Sequence, residues 1–168
     1  MKKTFAILTI LLSMSFYSFA QVNPHAIGVR FGNAAASAFG MEVSFQQGIG
    51  DANRLELDLG SNFGTNDGHD YTHSILSGIY QWDWNIVEGL NWYIGPGAEI
   101  GGYVDYDKAS NNCLTLAVGG QVGLEYDFNT LDVPILVSLD ARPMLNFINY
   151  NSALDWGLFP HLSVRYTW

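Results

Sequence analysis

The side chains able to do chemistry in this 168-residue chain are few and regularly placed. Its four arginines, Arg30, Arg54, Arg142 and Arg165, stand in runs where apolar and polar residues alternate. So do the carboxylates Glu42, Glu56, Asp58, Glu99, Glu125 and Asp140. Arg54, Glu56 and Asp58 interleave with Leu55, Leu57 and Leu59, and Arg165 lies between Val164 and Tyr166. Residues two apart on a strand share a face, so these ten groups fall opposite the apolar side chains. Charges gathered on one enclosed surface can pair, and breaking a buried pair costs about 3 to 5 kcal/mol. The spacing points to an ion network that supports structure.

One sequence looks catalytic. His161-Leu162-Ser163 is similar to the His-x-Ser pair of outer-membrane lipid A deacylases, in which an acid orients the histidine. No Asp or Glu follows it here, and both side chains share the face of Arg165, whereas an enzyme acting on acyl chains would use the apolar face. No catalytic residue is assigned, and the pair is expected to hydrogen-bond inside the fold. Asn66-Asp67-Gly68-His69-Asp70 and Asp105-Tyr106-Asp107 gather acids in loops, but their spacing matches no EF-hand. Neither a metal nor another cofactor is expected. Cys113 is the single cysteine, so no internal disulfide supports the fold.

Strands must position these groups, and the alternation predicts eight of them. They run over His25–Gly32, Ala38–Gln46, Arg54–Phe63, Thr72–Trp84, Leu90–Tyr103, Asn112–Phe128, Val133–Leu145 and Trp156–Trp168. The fourth is the least regular, with Leu76, Tyr80, Trp82 and Trp84 on one face but Ile75 and Ile79 on the other. Pro96 would cost the fifth a ladder hydrogen bond, and its flanking Gly95 and Gly97 suggest a bulge. Connections after strands two, four and six are compact turns, while those after three, five and seven are longer and rich in Asn, Asp and Tyr. Segment Gly64–Tyr71 is the first of these polar loops. Most strands are near the ~9 to 11 residues of a tilted membrane strand.

The start of the chain is set apart. Lys2 and Lys3 precede an apolar run from Phe5 to Leu12, and Ser18-Phe19-Ala20 has the small-x-small pattern of a cleavage site. Residues 1–20 are read as a secretory signal and 21–168 as one β-barrel domain. Its removal takes away Lys2 and Lys3 but no acid, moving the formal net charge from −9 to −11. Nucleic acid is therefore not an expected partner, because phosphate binding needs clustered Lys and Arg.

Periodicity leaves two barrels open. With the apolar face inward the chain is a soluble lipocalin-like carrier, and with it outward the barrel sits in lipid. The polar face is largely Gly, Ala, Ser and Thr with sparse charge, which suits a narrow interior better than a water-facing exterior. Rings gather at strand ends: Phe45, Trp82, Trp84, Phe128 and Trp168 at one side, Phe63, Tyr71, Tyr103 and Tyr150 at the other. Interfacial aromatic girdles have this distribution.

These features together resemble the small outer-membrane β-barrel proteins of the OmpA/OmpX type, especially the single-domain barrels common in Bacteroidetes. The resemblance spans residues 21–168. It rests on Gly95-Pro96-Gly97-Ala98-Glu99-Ile100-Gly101, Gly123-Leu124-Glu125-Tyr126-Asp127-Phe128, Leu131-Asp132-Val133-Pro134, Ser138-Leu139-Asp140-Ala141-Arg142-Pro143 and the terminal Arg165-Tyr166-Thr167-Trp168. It implies a transmembrane, antiparallel, up-and-down, eight-stranded all-β barrel in the bacterial outer membrane, with a porin-family relationship. The expected partners are outer-membrane lipid and lipopolysaccharide, and the barrel-assembly machinery, which would read Tyr166 and Trp168. The expected role is non-enzymatic, for a monomer with a packed polar lumen and external loops that bind surface partners. A small pore is the alternative, followed by a lipid A-modifying enzyme and the soluble carrier.

Overall fold

Segments that alternate over this length cannot satisfy their own backbone groups, so each must pair with neighbours, and a sheet whose two edges meet leaves no group unpaired. The computed structural model describes residues 23–35, 38–66, 69–105, 113–148, 155–157 and 160–168. The expected signal peptide, Asp67, Tyr106, Asp107 and Tyr150 lie outside the described residues.

The strands are β1 (His25–Ala35), β2 (Ala38–Gly48), β3 (Asn53–Asn66), β4 (His69–Val87), β5 (Leu90–Asp105) and β6 (Cys113–Asp127). They are followed by β7 (Ile135–Ala141), β8 (Met144–Ile148), β9 (Asp155–Gly157) and β10 (Pro160–Thr167). β7 and β8 follow one another along β6, while β10 pairs with β7 and β9 with β8. The ten segments thus form eight barrel strands, all pairings are antiparallel, and β1 pairs with β10 to close the circle. Ladder partners climb from Val29 through Val43, Leu59, Leu76, Ile100 and Leu116 to Ile148 at the far end of β8. That climb is the stagger a tilted closed sheet requires.

Several expectations change, among them the seventh strand, which runs as β7 and β8 rather than unbroken over Val133–Leu145. Gly64–Asn66 and His69–Tyr71, expected in a loop, are strand: Gly64 pairs with Tyr71, Thr65 with Asp70 and Asn66 with His69. Backbone pairing continues past the apolar band, and Thr65 Oγ1 donates to Asp70 Oδ1 at 2.7 Å. Pro96 makes no bulge either, because β5 keeps register with β6 through Gly95↔Gln121, Pro96↔Gly120 and Gly97↔Gly119. The missing N–H is absorbed instead by a gap in the β4–β5 ladder between Ile79↔Gly97 and Trp82↔Ile94. Pro143 likewise separates β7 from β8, its carbonyl accepting from Gly120 N at 3.1 Å.

The apolar face points outward. Val43, Leu59, Leu124, Leu139, Leu162 and Tyr166 are exposed around the circumference, whereas Arg30, Glu56, Asp58, Glu125, Asp140 and Arg165 are buried. This is the reverse of a soluble carrier with an apolar cavity. Ile75 and Ile79, the irregular pair of β4, point inward, where Ile79 packs with Ala117 and Met144.

The glycines of the inner face have a geometric reason. A Cβ on Gly123 would stand 2.5 Å from the Tyr93 ring, one on Gly97 2.0 Å from Ile79 Cδ1, and one on Gly32 2.1 Å from the His161 ring. Tyr93, Ile79 and His161 thus each lie against a glycine of the neighbouring strand, which is how a narrow lumen accommodates them.

Candidate functional site

Alternation along β1 to β7 and β10 brings all ten charged residues singled out above into the lumen, and each arginine finds carboxylates there. Glu56, near the start of β3, is wholly buried and accepts five hydrogen bonds. Gln46 Nε2, Gln81 Nε2 and Arg165 Nη2 donate to its Oε2 at 2.6, 3.2 and 2.9 Å. Gln121 Nε2 and Arg142 Nη2 donate to its Oε1 at 3.2 and 2.8 Å. Those donors come from β2, β4, β6, β10 and the link between β7 and β8, so one carboxylate ties together most of the barrel wall.

Toward the turn end, Arg54 donates from Nη1 and Nη2 to both oxygens of Glu125 at 2.8 and 2.5 Å, a bidentate pairing. Its Nη1 also lies 3.3 Å from Asp83 Oδ2, and its guanidinium carbon stands 4.8 Å above the centre of the Tyr93 ring. Toward the loop end, Arg142 donates to Ser77 Oγ at 2.8 Å and to Asp58 Oδ2. Glu42 and Glu99 lie 3.7 and 3.8 Å from the same guanidinium, and Glu99, with 20% of its side chain exposed, is the loosest member. Arg30 donates to Glu42 Oε2 at 2.9 Å and to Asp140 Oδ1, and Tyr93 Oη donates to Asp140 Oδ2 at 3.2 Å.

Sequence reading missed Asp83, Gln46, Gln81, Gln121 and Tyr93 as members. Asp83 lies between Trp82 and Trp84, so its parity already placed it inside; the three glutamines carry no charge to mark them. Among the described residues, seven carboxylates pair with four guanidiniums, so several amide and hydroxyl donors are needed to satisfy the surplus oxygens.

The catalytic-looking pair has a different environment. Among the described residues Ser163 Oγ and His161 Nδ1 are buried atoms with no hydrogen-bond partner. Asp140, the ladder partner of His161, is occupied by Arg30 and Tyr93. Ser163 Oγ therefore makes no hydrogen bond to the His161 imidazole, and the hydrogen bonding expected of this pair inside the fold is not found at these two atoms among the described residues. No group of three or more His, Cys, Asp or Glu side chains among the described residues is arranged to hold a metal.

At the turn end, Trp84 and Trp92 stack at 4.6 Å, and Trp168 lies 6.1 Å from Tyr166 and 5.4 Å from His25. Tyr166 and Trp168, the expected assembly residues, are exposed on the outer surface at the foot of β10. At the other end the girdle differs from expectation. Phe39, Phe63 and Phe147 are outward and exposed, but Tyr71 and Tyr103 share the inner faces of β4 and β5. Tyr103 stacks on His73 at 4.1 Å and lies 5.7 Å from Tyr71, and His73 Nε2 is 2.8 Å from Thr115 Oγ1. Strand parity, rather than nearness to a strand end, decides which rings can reach lipid.

A closed eight-stranded antiparallel barrel with a polar interior and an apolar exterior is the class these features define. No protein-family model matches the chain, and no curated protein sequence matches it. Among solved structures the fold is similar to Neisserial surface protein A (NspA), with a TM-score of 0.60 and 17% identity over 86% of this chain and 96% of that one. It is also similar to Ail, the attachment invasion locus protein of Yersinia pestis, with a TM-score of 0.50 and 12% identity over 86% and 96% of the two chains.

Proposed function

We propose that this chain is a non-enzymatic integral protein of the bacterial outer membrane, whose lumen is a packed polar core and whose external loops carry any binding to surface partners. The observation that carries this reading is the inversion of the barrel: exposed Val, Leu and Ile side chains encircle a buried network centred on Glu56. Such an exterior suits lipid and the acyl region of lipopolysaccharide, since β-barrels and helices are the structures that satisfy their backbone in a bilayer. Trp82, Trp84, Trp92 and Trp168 at the turn end fit an interfacial girdle.

A lumen filled by Arg54, Arg142, Arg165 and their partners serves as structure and leaves the loop end as the surface for recognition. The two structural relatives are by name a surface protein and an attachment invasion locus protein, which accords with a surface role for the loops. Tyr166 and Trp168, outward at the foot of the last strand, are proposed to be read by the barrel-assembly machinery, and the chain to act as a monomer. Cell fractionation tests the location: recovery in the outer-membrane fraction is expected, and recovery in the soluble periplasm would defeat the proposal. Planar-bilayer recording tests the packed lumen, where a steady open channel from the purified protein would replace it with a pore.

A further inference from the structure

The first and last strands are held together by more than their ladder. Arg30 on β1 bonds Glu42 on neighbouring β2 and reaches past β10 to Asp140 on β7. Arg165 on β10 does the reverse, bonding Ser138 on neighbouring β7 at 2.9 Å and reaching past β1 to Ser44 on β2 at 2.9 Å. Each of the two joining strands thus carries one arginine that binds both β2 and β7. The other two arginines behave differently: Arg54 ties β3 to β4 and β6, and Arg142 crosses the lumen to β3 and β4.

A second set of bonds straddles the same junction from below. The chain leaves β6 in a single 3₁₀ turn, Phe128–Leu131, capped by Asp127, whose side chain accepts from Asn129 N. Asn129 Nδ2 donates to Thr167 Oγ1 of β10 at 2.8 Å and to Oδ1 of Asn23, just before β1, at 3.3 Å. Asn23 Nδ2 in turn donates to Asp127 Oδ2 at 2.9 Å. One turn thereby holds both ends of the barrel wall.

We infer that Arg30, Arg165 and the Asn129 turn form a closure lock, a device dedicated to bringing β1 and β10 together and resisting their lateral separation. The physical reason is the distance along the chain. The hairpins β1–β2 to β5–β6 join segments close in sequence, but β1 and β10 must find each other across the whole barrel, at the greatest loop-closure entropy. Groups that bind strands on both sides of the junction add cohesion across it, and Arg165 carries that hold on to β3 through its 2.9 Å bond to Glu56. The β3–β4 hairpin, by contrast, is held by a continuous ladder of its own from Asn53↔Trp82 to Asn66↔His69.

The test follows two disulfides during refolding from urea into dilauroylphosphatidylcholine vesicles, in a Cys113→Ser background. One joins Val29→Cys to Val164→Cys across the junction, and the other joins Leu59→Cys to Leu76→Cys in the β3–β4 hairpin; both are ladder pairs. Arg165→Met and Arg30→Met are expected to delay the junction disulfide about tenfold more than the hairpin disulfide. Arg54→Met is expected to change both alike. Should the arginine variants fail to fold, Asn129→Ala, at the exposed turn, is expected to give a selective delay of about threefold. Equal effects on both disulfides in the arginine and Asn129 variants, or none on either, would overturn the lock.

Discussion

Two places on the same inner wall, Glu56 and the neighbourhood of Ser163, show what burial alone does not decide. Both residues are fully buried and both point into the lumen. At Glu56 five donors from five different places in the chain converge on one carboxylate. At Ser163 the hydroxyl meets no donor or acceptor among the described residues, and the Nδ1 of nearby His161 is equally unpartnered. The difference lies in what the neighbouring strands offer. Opposite Glu56 they supply three glutamines and two arginines, whereas Ser163 pairs with Arg30 and Ser138: both terminal nitrogens of Arg30 and the Ser138 hydroxyl are engaged elsewhere, and Arg30 Nε does not bond Ser163. A residue pattern that looks chemical can be a quiet site, and one unremarkable in sequence can be the hub.

Substitutions at the two places should differ sharply. Glu56→Ala leaves Arg142 and Arg165 short of a partner and is expected to have the largest effect, about 3 to 5 kcal/mol, read as the urea midpoint of unfolding in detergent micelles. A shift below about 1 kcal/mol would remove Glu56 from the centre of the network. Arg142→Ala and Arg165→Ala come next, each expected to lower resistance to heat and detergent. An unchanged unfolding temperature in both would count against an ion-paired core. Gly123→Ala brings a methyl group onto the Tyr93 ring and should cost about 1 to 3 kcal/mol without removing any charge, which measures close packing separately from pairing. The smallest effect is expected at Ser163→Ala, within about 0.5 kcal/mol, because the hydroxyl it removes bonds nothing among the described residues. Loss of a lipid A deacylase activity in that variant would contradict the contrast altogether and make His161 and Ser163 an active site.

Much of this arrangement was legible beforehand. Arg54, Glu56 and Asp58 against Leu55, Leu57 and Leu59 defined two faces of one strand, and the same rule applied to β2, β6, β7 and β10. Even the irregular Ile75 and Ile79 followed their parity and filled the lumen. Asp83 was readable by the same rule and was overlooked between two tryptophans. Tyr71 and Tyr103 lie near strand ends, as girdle rings do, but their parity turns them inward beside His73. The Pro96 bulge was expected from local chemistry, but pairing with β6 on one side kept the register and left the β4 side to open.

What the sequence determined by itself is the period of two, and with it the face each side chain occupies, since that depends only on neighbours along one strand. It also determined that the charged residues of the strands would face inward, among many small ones. Partner identity was decided only in three dimensions. Glu56 meets Arg165 over 109 positions and Arg142 over 86, distances along the chain that no local pattern encodes. Stagger around the closed sheet sets which inward residues share a level, and so made Glu56 a hub, left Ser163 Oγ without a partner among the described residues, and placed Arg30 and Arg165 on either side of the junction where the barrel closes.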